Sequence, residues 1–293
     1  MNNSEAIKYL KTTPIFTEKI TVERFGEGLS NYSFLVTCNN KRFVAKFLNN
    51  LLLFHTTHLQ EIAANKAAHK LDIAPQIMYY DNKVIIFEYI QSKNLTNEEI
   101  KEEKTLKNII DLLKIVHKKI PYYFRGPVMI NWNFYSVRDY AKTLRKINSP
   151  HIEKLNNFLK DIVIFEDMSG PFDIVFTHGD FFLPNILTDG KRLWLVDWEY
   201  SGFNSPLSDL GSLSKHGRLN QEQDNFILEQ YYEATITSKL KHQFHAIKCS
   251  SLLKELLWSM IAEIKPPIDY DFREYTKGKL DDYRRESEKF FNY

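Results

Sequence analysis

Cysteine is nearly absent from this chain: Cys38 and Cys249 are the only two in 293 residues. Their spacing suits neither a metal site nor a redox pair. That excludes a disulfide scaffold and fits a reducing compartment where thiols stay free. Net charge is equally scarce, since 39 basic and 37 acidic residues leave +2. This gives no argument for a nucleic-acid partner, and no basic block interleaved with aromatics stands out. Ten glycines and ten prolines exclude a collagen-like class, and a 43% hydrophobic, 26% charged composition excludes disorder. No charged start runs into an apolar stretch, and no apolar run is long enough for a span. Neither a secretion signal nor a membrane helix is expected, which suits a cytoplasmic protein.

What is present is concentrated between Phe176 and Tyr200. The order is His178-Gly179-Asp180, then Asn185, then Asp197 at the end of the apolar run Leu193-Trp194-Leu195-Val196. In kinase-type phosphoryl transfer a loop Asp accepts the proton of the attacking hydroxyl, and a downstream Asn and a later Asp hold Mg²⁺. Asp180, Asn185 and Asp197 fit those roles. His178 fits an orienting role beside Asp180 better than metal ligation, because no second His or Cys lies near it. The competing reading is a buried polar turn in which Asp and Asn only form the turn.

Local patterning supports the chemical reading. Ile174-Val175-Phe176 reads as a buried strand that delivers the loop, and Asp189-Gly190 as a two-residue hairpin turn. That register sets Asn185 opposite Trp194 and puts Asp197 three residues on, about 10 Å along the strand.

Upstream, strands are expected over 20–25, 32–37 and 43–47, with Asn39-Asn40 as a hairpin turn and Gly26 to Asn31 as a Gly-containing loop. Glycine there would let backbone N–H groups approach phosphate oxygens. Lys46 lies in an apolar strand, where a cation is costly without a partner. Either it snorkels from an edge strand, or it binds nucleotide phosphates and pairs with an acid on the next helix. That helix is expected over 58–71, with Leu59, Ile62, Ala63 and Ala67 on one side, and Glu61 is its candidate acid. Pro75 ends it. The run from Lys83 to Ile90 reads as a further strand, and the polar stretch 91–97 as the best domain boundary.

Beyond the boundary, Leu106, Ile109, Ile110, Leu113, Val116 and Ile120 mark an amphipathic helix, with His117 as a capping or packing residue. The aromatic stretch 122–134 carries no legible role. Near the C-terminus Leu253, Leu256, Leu257, Met260 and Ile264 form an apolar face. Glu255 and Trp258, three apart, are neighbours on another. A Trp beside a carboxylate can hold a quaternary ammonium, or it can simply be half-buried over a surface Glu.

Several stretches together resemble the choline/ethanolamine kinase family. They are His178-Gly-Asp180-Phe-Phe-Leu-Pro184-Asn185-Ile186-Leu187, Trp194-Leu-Val-Asp197-Trp198-Glu199-Tyr200-Ser-Gly202 and Pro206-Leu-Ser-Asp209-Leu210. The likeness runs from about Gly26 to Tyr283. It implies an α+β, two-lobed protein-kinase-like fold with a small β-rich N-lobe and a larger, mainly helical C-lobe. The lobes would be 1–90 for nucleotide, 91–97 as hinge and 98–293 for catalysis and substrate.

The resemblance also implies ATP and Mg²⁺ as cofactors and a small cationic alcohol as substrate. Choline comes first, giving phosphocholine, a phospholipid precursor; ethanolamine, thiamine or an aminoglycoside are alternatives, and a non-catalytic kinase-fold binding module is another. By it Gly28, Ser30 and Asn31 meet phosphates, with Ser30 replacing the family's Thr and Glu27 standing where a second Gly is usual. Glu88, Tyr89 and Ile90 form the adenine hinge, and Asp209 braces the catalytic loop. Glu199, Tyr200, Glu255, Trp258 and Tyr275 wall the amine pocket. Two departures bear on that pocket. One Trp of the family's Trp-x-x-Trp is missing, Glu255 or Ile261 standing in its place, and Lys279 replaces the usual Arg.

Overall fold

The computed structural model describes residues 2–26, 28–48, 55–171 and 173–292. A short helix α1 (Asn3–Leu10), closed by an Asn2/Glu5 capping box, packs on a five-stranded antiparallel sheet. The strands are β1 (Ile20–Arg24), β2 (Tyr32–Cys38), β3 (Lys41–Phe47), β4 (Ile77–Tyr80) and β5 (Val84–Glu88), in the order β1-β2-β3-β5-β4. Asn39 and Asn40 both take positive φ between Cys38 and its partner Lys41, the two-residue turn that an Asn pair favours. Lys46 is in central β3, paired to Ser33 on one side and Ile85 on the other. It therefore cannot snorkel from an edge.

Helix α2 (His58–His69) starts at the Thr57 cap and ends six residues before Pro75, earlier than expected. Its buried side carries Gln60, Glu61, Ile62, Ala63 and Ala64, while Leu59 is 68% exposed. Ile62, Ala63 and Ala67 are buried as expected and only Leu59 is not; the helix buries polar Gln60 and Glu61 as well.

The rest is mainly helical: α3 (Glu103–Tyr123), α4 (Asn133–Lys146), α5 (Ile152–Ser169), α6 (Pro206–Gly217), α7 (Gln221–Tyr232), α8 (Ser238–Ala262) and α9 (Phe272–Phe291). Helix α8 is the hub, packing on α4, α5, α6 and α9, which is why every residue of its last two turns, from Leu256 to Ala262, is buried. Leu253, Leu256, Leu257 and Met260 are buried as expected. Ile264 lies past the helix end and is 37% exposed.

Short strands serve the cleft. These are β6 (Lys93–Asn94), β7 (Val175–Thr177), β8 (Ile186–Thr188), β9 (Leu193–Leu195) and β10 (Gly202–Asn204). Strand β7 begins one residue later than expected, and Ile174 is 69% exposed. Strand β6, within the expected boundary, pairs with β8, and Asn94 Nδ2 donates to Pro184 O at 2.8 Å. Cys38 and Cys249 are free and buried.

Candidate active site

Strand β7 ends in the loop that carries His178, Gly179 and Asp180. Asp209, on the first turn of α6, accepts the His178 N–H at 2.7 Å and the Gly179 N–H at 2.9 Å. His117 Nε2 lies 3.1 Å from the same carboxylate, and His117 Nδ1 reaches the Tyr231 hydroxyl at 2.8 Å. His117 is thus not a helix cap; it is buried and packed on Tyr231, as the packing alternative expects, and braces this loop as well. Burial alone would raise the Asp209 pKa, yet the hydrogen bond and charge of His117 outweigh it and hold the carboxyl low.

The His178 ring is fully buried against Trp198, and its Nε2 donates to Val196 O at 3.1 Å. It ties the Asp180 loop to the segment that carries Asp197 and does not face the cleft. Asn185 Nδ2 donates to Asp180 O at 3.0 Å and Oδ2 at 3.1 Å, which turns Asn185 Oδ1 away from that carboxylate.

The hairpin after Asn185 differs from the expected two-residue turn. Strands β8 and β9 pair Ile186 with Leu195 and Thr188 with Leu193, so the loop is the four residues 189–192. Asp189 explains it, because its Oδ1 accepts the Lys191 and Arg192 N–H groups at 2.8 and 2.9 Å and its Oδ2 the Trp194 indole at 3.0 Å. An Asx-type turn has replaced the tight one. The register moves by two, and the Val196 N–H donates to Asn185 O at 3.1 Å. Asn185 and Asp197 are therefore closer neighbours than the two-residue turn would have made them.

Asp197 has φ of +66°, a left-handed conformation that costs a non-glycine residue energy. Its carboxylate meets Lys46 Nζ at 2.6 Å, as does that of Glu61, and Glu199 stands at 3.3 Å. Glu199 was expected among the aromatic rings. The structure puts it in the Lys46 cluster, where Asn31 Nδ2 also donates to it at 2.7 Å.

Burial would strip the proton from Lys46, but three carboxylates outweigh it and hold its pKa well above normal. Burial pushes Glu61 up and Glu199 up to about 8, with Lys46 only partly opposing. Asp180 is raised too, by burial and then by Asp197. One lysine stands against several carboxylates whose mutual repulsion helps raise these pKa values, and a divalent cation would relieve that repulsion. Among the described residues no three His, Cys, Asp or Glu form a metal cluster. Mg²⁺ needs none, since one or two carboxylates plus substrate phosphates hold it. Asn185 Oδ1 and Asp197 are the donors of that type here.

In the Gly26–Asn31 turn, Gly26 has φ of +71° and open space where a Cβ would stand, and Asn31 is buried on Glu199. Gly28 and Ser30 flank it, and Glu27 lies outside the described residues. At the expected hinge the Glu88 N–H donates to Gln76 O at 2.9 Å and the Tyr89 N–H to Arg42 O at 3.3 Å. The Glu88 carboxylate takes the Gln76 N–H at 2.7 Å. These groups are spent within the sheet lobe. Ile90 O accepts the Ser92 hydroxyl at 3.1 Å.

The remaining wall comes from α8 and α9. Trp258 packs edge-on to Phe272 and Tyr275 at 5.7 and 6.3 Å. Glu255 is not open to a ligand amine: it holds Lys279 at 2.7 Å, Lys215 at 3.0 Å and the Tyr275 hydroxyl at 2.8 Å. Those cations overcome burial and keep its pKa well below normal. Lys254 Nζ donates to Asn131 Oδ1 at 3.0 Å and stands 5.2 Å from the centre of the Tyr200 ring.

The aromatic stretch without a legible role supplies Asn131, whose Nδ2 donates to Tyr200 O at 2.6 Å. A cavity of about 270 Å³ lies alongside, lined by Gln60, Asn131, Glu199 and Tyr200 among others. Lys254, Lys215 and Asn131 escaped the sequence reading. Lys254 was findable, since it stands four residues before Trp258 and so shares its helix face; the others depend on tertiary packing.

A model of the choline/ethanolamine kinase family matches residues 22–284. Protein LicA of Haemophilus influenzae is 23% identical over 266 residues, 87% of this chain and 76% of that protein. A choline/ethanolamine kinase family protein from Mesorhizobium loti superposes with a TM-score of 0.77 at 24% identity, over 98% of this chain and 94% of the other. The choline kinase LicA from Streptococcus pneumoniae does so with a TM-score of 0.78 at 18% identity, over 99% of both. The expected two-lobed kinase-like architecture is thus the observed one.

Proposed function

Because the chain belongs to the choline/ethanolamine kinase family and is a phosphotransferase, we propose that it moves the γ-phosphoryl group of ATP, with Mg²⁺, to the hydroxyl of a small alcohol, choline first. The observation that carries this reading is the convergence of Asp180, Asn185 and Asp197 with the buried Lys46–Glu61 pair in one cleft.

Asp180 accepts the proton of the acceptor hydroxyl as it attacks. Its raised pKa strengthens it as a base at neutral pH and comes from burial and Asp197. Lys46, held in place by Glu61, meets nucleotide phosphates. Asn185 and Asp197 hold Mg²⁺, which when bound neutralises charge on the β- and γ-phosphates. Asp209 and His178 keep the base in position through the backbone and Val196. Residues 1–90 serve the nucleotide, 91–97 act as the hinge and 98–293 supply catalysis and the acceptor pocket. A cytoplasmic setting, where ATP is available, fits this work, and no described helix is long and apolar enough to cross a membrane.

For the acceptor, Tyr200, Trp258 and Tyr275 are the ring surfaces a choline pocket would use. One observation favours a second reading, an acceptor other than a quaternary ammonium: two of those three rings already face a cation of the chain itself, Lys254 at Tyr200 and Lys279 at Tyr275, the latter at 4.8 Å. Measuring Mg²⁺-dependent ATP consumption with choline, ethanolamine, thiamine, kanamycin and glycerol tests the function. Loss of turnover with every alcohol would overturn it, while turnover of any one sustains the phosphotransferase reading and names the acceptor.

A further inference from the structure

Lys254 differs from the other lysines around the cleft. Lys46 has three carboxylates, and Lys215 and Lys279 share Glu255. Among the described residues Lys254 has no carboxylate within ion-pair distance, and its hydrogen-bond partner is the neutral Asn131 amide. A half-buried ammonium without a counter-ion is unfavourable. Burial correspondingly lowers its pKa to about 8, with Lys215 adding to the effect.

Its place in the site is specific. Asn131, which it holds, binds Tyr200 O. Both pack on Gly179, the residue before Asp180: a Cβ added there would lie 2.0 Å from Tyr200 O and 2.9 Å from Asn131 Nδ2. The lysine therefore stands one residue removed from the catalytic loop. Its ammonium stands over the ring of Tyr200, 5.2 Å from the centre.

The charges around it point the same way. Lys215, Lys254 and Lys279 face this wall, and Glu255, the acid on it, is held at ion-pair distance by Lys215 and Lys279 and attracts Lys254 only from further off. Asp180 acts on Lys254 only through longer-range attraction.

Resting on the phosphotransferase reading, we propose that Lys254 is the anion-binding residue of the acceptor pocket, taking an anionic oxygen brought in by the reactants where a choline pocket would take a quaternary ammonium. Two sources share that chemistry: a carboxylate or similar group on the acceptor alcohol, and the phosphoryl group in transfer. A long ammonium suits either, since it reaches as a point charge and needs no planar fork.

The test uses the full chain and its Lys254→Met and Lys254→Arg variants. Binding of glycerate, glycerol and choline is followed by calorimetry with Mg²⁺ and a non-hydrolysable ATP analogue, and turnover is measured separately with ATP. If the anion is on the acceptor, glycerate binds at least tenfold tighter than glycerol or choline. Lys254→Met then abolishes that preference and Lys254→Arg keeps most of it. If the anion is the phosphoryl group, Lys254→Met leaves acceptor binding unchanged and lowers kcat by one common factor for all acceptors, again with partial rescue by Arg.

Choline binding tighter than glycerate in the wild type, with Lys254→Met altering neither binding nor kcat, overturns the proposal. So does unchanged behaviour of Lys254→Met toward every acceptor. The two readings fail separately: absence of ATP turnover with any alcohol sinks the phosphotransferase function and with it the phosphoryl-group source, while the calorimetry still decides whether Lys254 binds an anion on the acceptor. Melting curves of the three proteins identify a variant that is merely unfolded, and the Arg variant then carries the test.

Discussion

Asp209 and His117 form a completely buried pair, Oδ2 to Nε2 at 3.1 Å, although they lie on helices 92 residues apart in the chain. The same carboxylate holds the backbone N–H groups of His178 and Gly179, in the loop that carries Asp180. Removing one partner of a buried pair leaves the other uncompensated, so Asp209→Ala should cost about 3–5 kcal/mol of stability. The pH dependence follows from the lowered pKa. In the folded state the carboxyl stays ionised below its ordinary value of 3.8, so the unfolded chain binds more protons in that window. The stabilisation is complete above that value and is lost as pH falls through the folded pKa. Denaturant titrations from pH 6 to pH 2 should show this acid limb in the wild type and a shallower one in Asp209→Asn. Equal limbs would remove the pair from the account of stability.

Asp180→Asn should reduce turnover by about 10²–10⁴, the usual worth of a general base, while nucleotide affinity changes little. In the proposed mechanism the lost group acts on the acceptor hydroxyl and not on the nucleotide. Single-turnover rates beside nucleotide titrations check it, and near-wild-type turnover would take the base role from Asp180.

The convergence of Asp180, Asn185 and Asp197 on one cleft was legible because the three fall within one stretch of sequence. The pairing of Lys46 with Glu61 was legible from the cost of a cation in an apolar strand. The acceptor wall was not, for a physical reason. Glu255 looked like a carboxylate beside Trp258, and only packing of α6 and α9 onto α8 brings Lys215 and Lys279 against it. Glu199, assigned to the acceptor wall by resemblance, lines a cavity with Tyr200 but also reaches Lys46, since the left-handed backbone at Asp197 turns the chain toward that lysine. The hairpin register was missed because the Asp189 side chain, not the Asp-Gly pair, sets the loop length.

Lys46→Met should raise the Michaelis constant for ATP by at least tenfold and leave that for the acceptor nearly unchanged, since the proposed role of the ammonium is at the phosphates. It should also destabilise the protein, because Glu61 and Glu199 are buried and lose their cation. Initial-rate kinetics over both substrates check the first part, and the reverse pattern of Michaelis constants would remove Lys46 from the phosphate site.

Gly179 and Gly190 separate backbone strain from collision. Both have positive φ, +79° and +85°, but a Cβ on Gly190 would meet nothing within 4 Å, whereas one on Gly179 would stand 2.0 Å from Tyr200 O. Gly190→Ala therefore adds only the left-handed penalty of about 1–2 kcal/mol, in a hairpin tip away from the reactants. Its turnover should stay near wild type. Gly179→Ala adds the same strain and must also push the catalytic loop off the Tyr200 carbonyl and the Asn131 amide. Neither can yield, because they are hydrogen bonded to each other at 2.6 Å. A shift of about 1 Å in a catalytic group can cost around a hundredfold in rate, so Gly179→Ala should lose at least that much turnover even where melting shows it folded. If the two variants lost stability and turnover alike, the close approach of the Asp180 loop to Tyr200 would have no functional weight, and strain alone would explain why glycine stands at both positions.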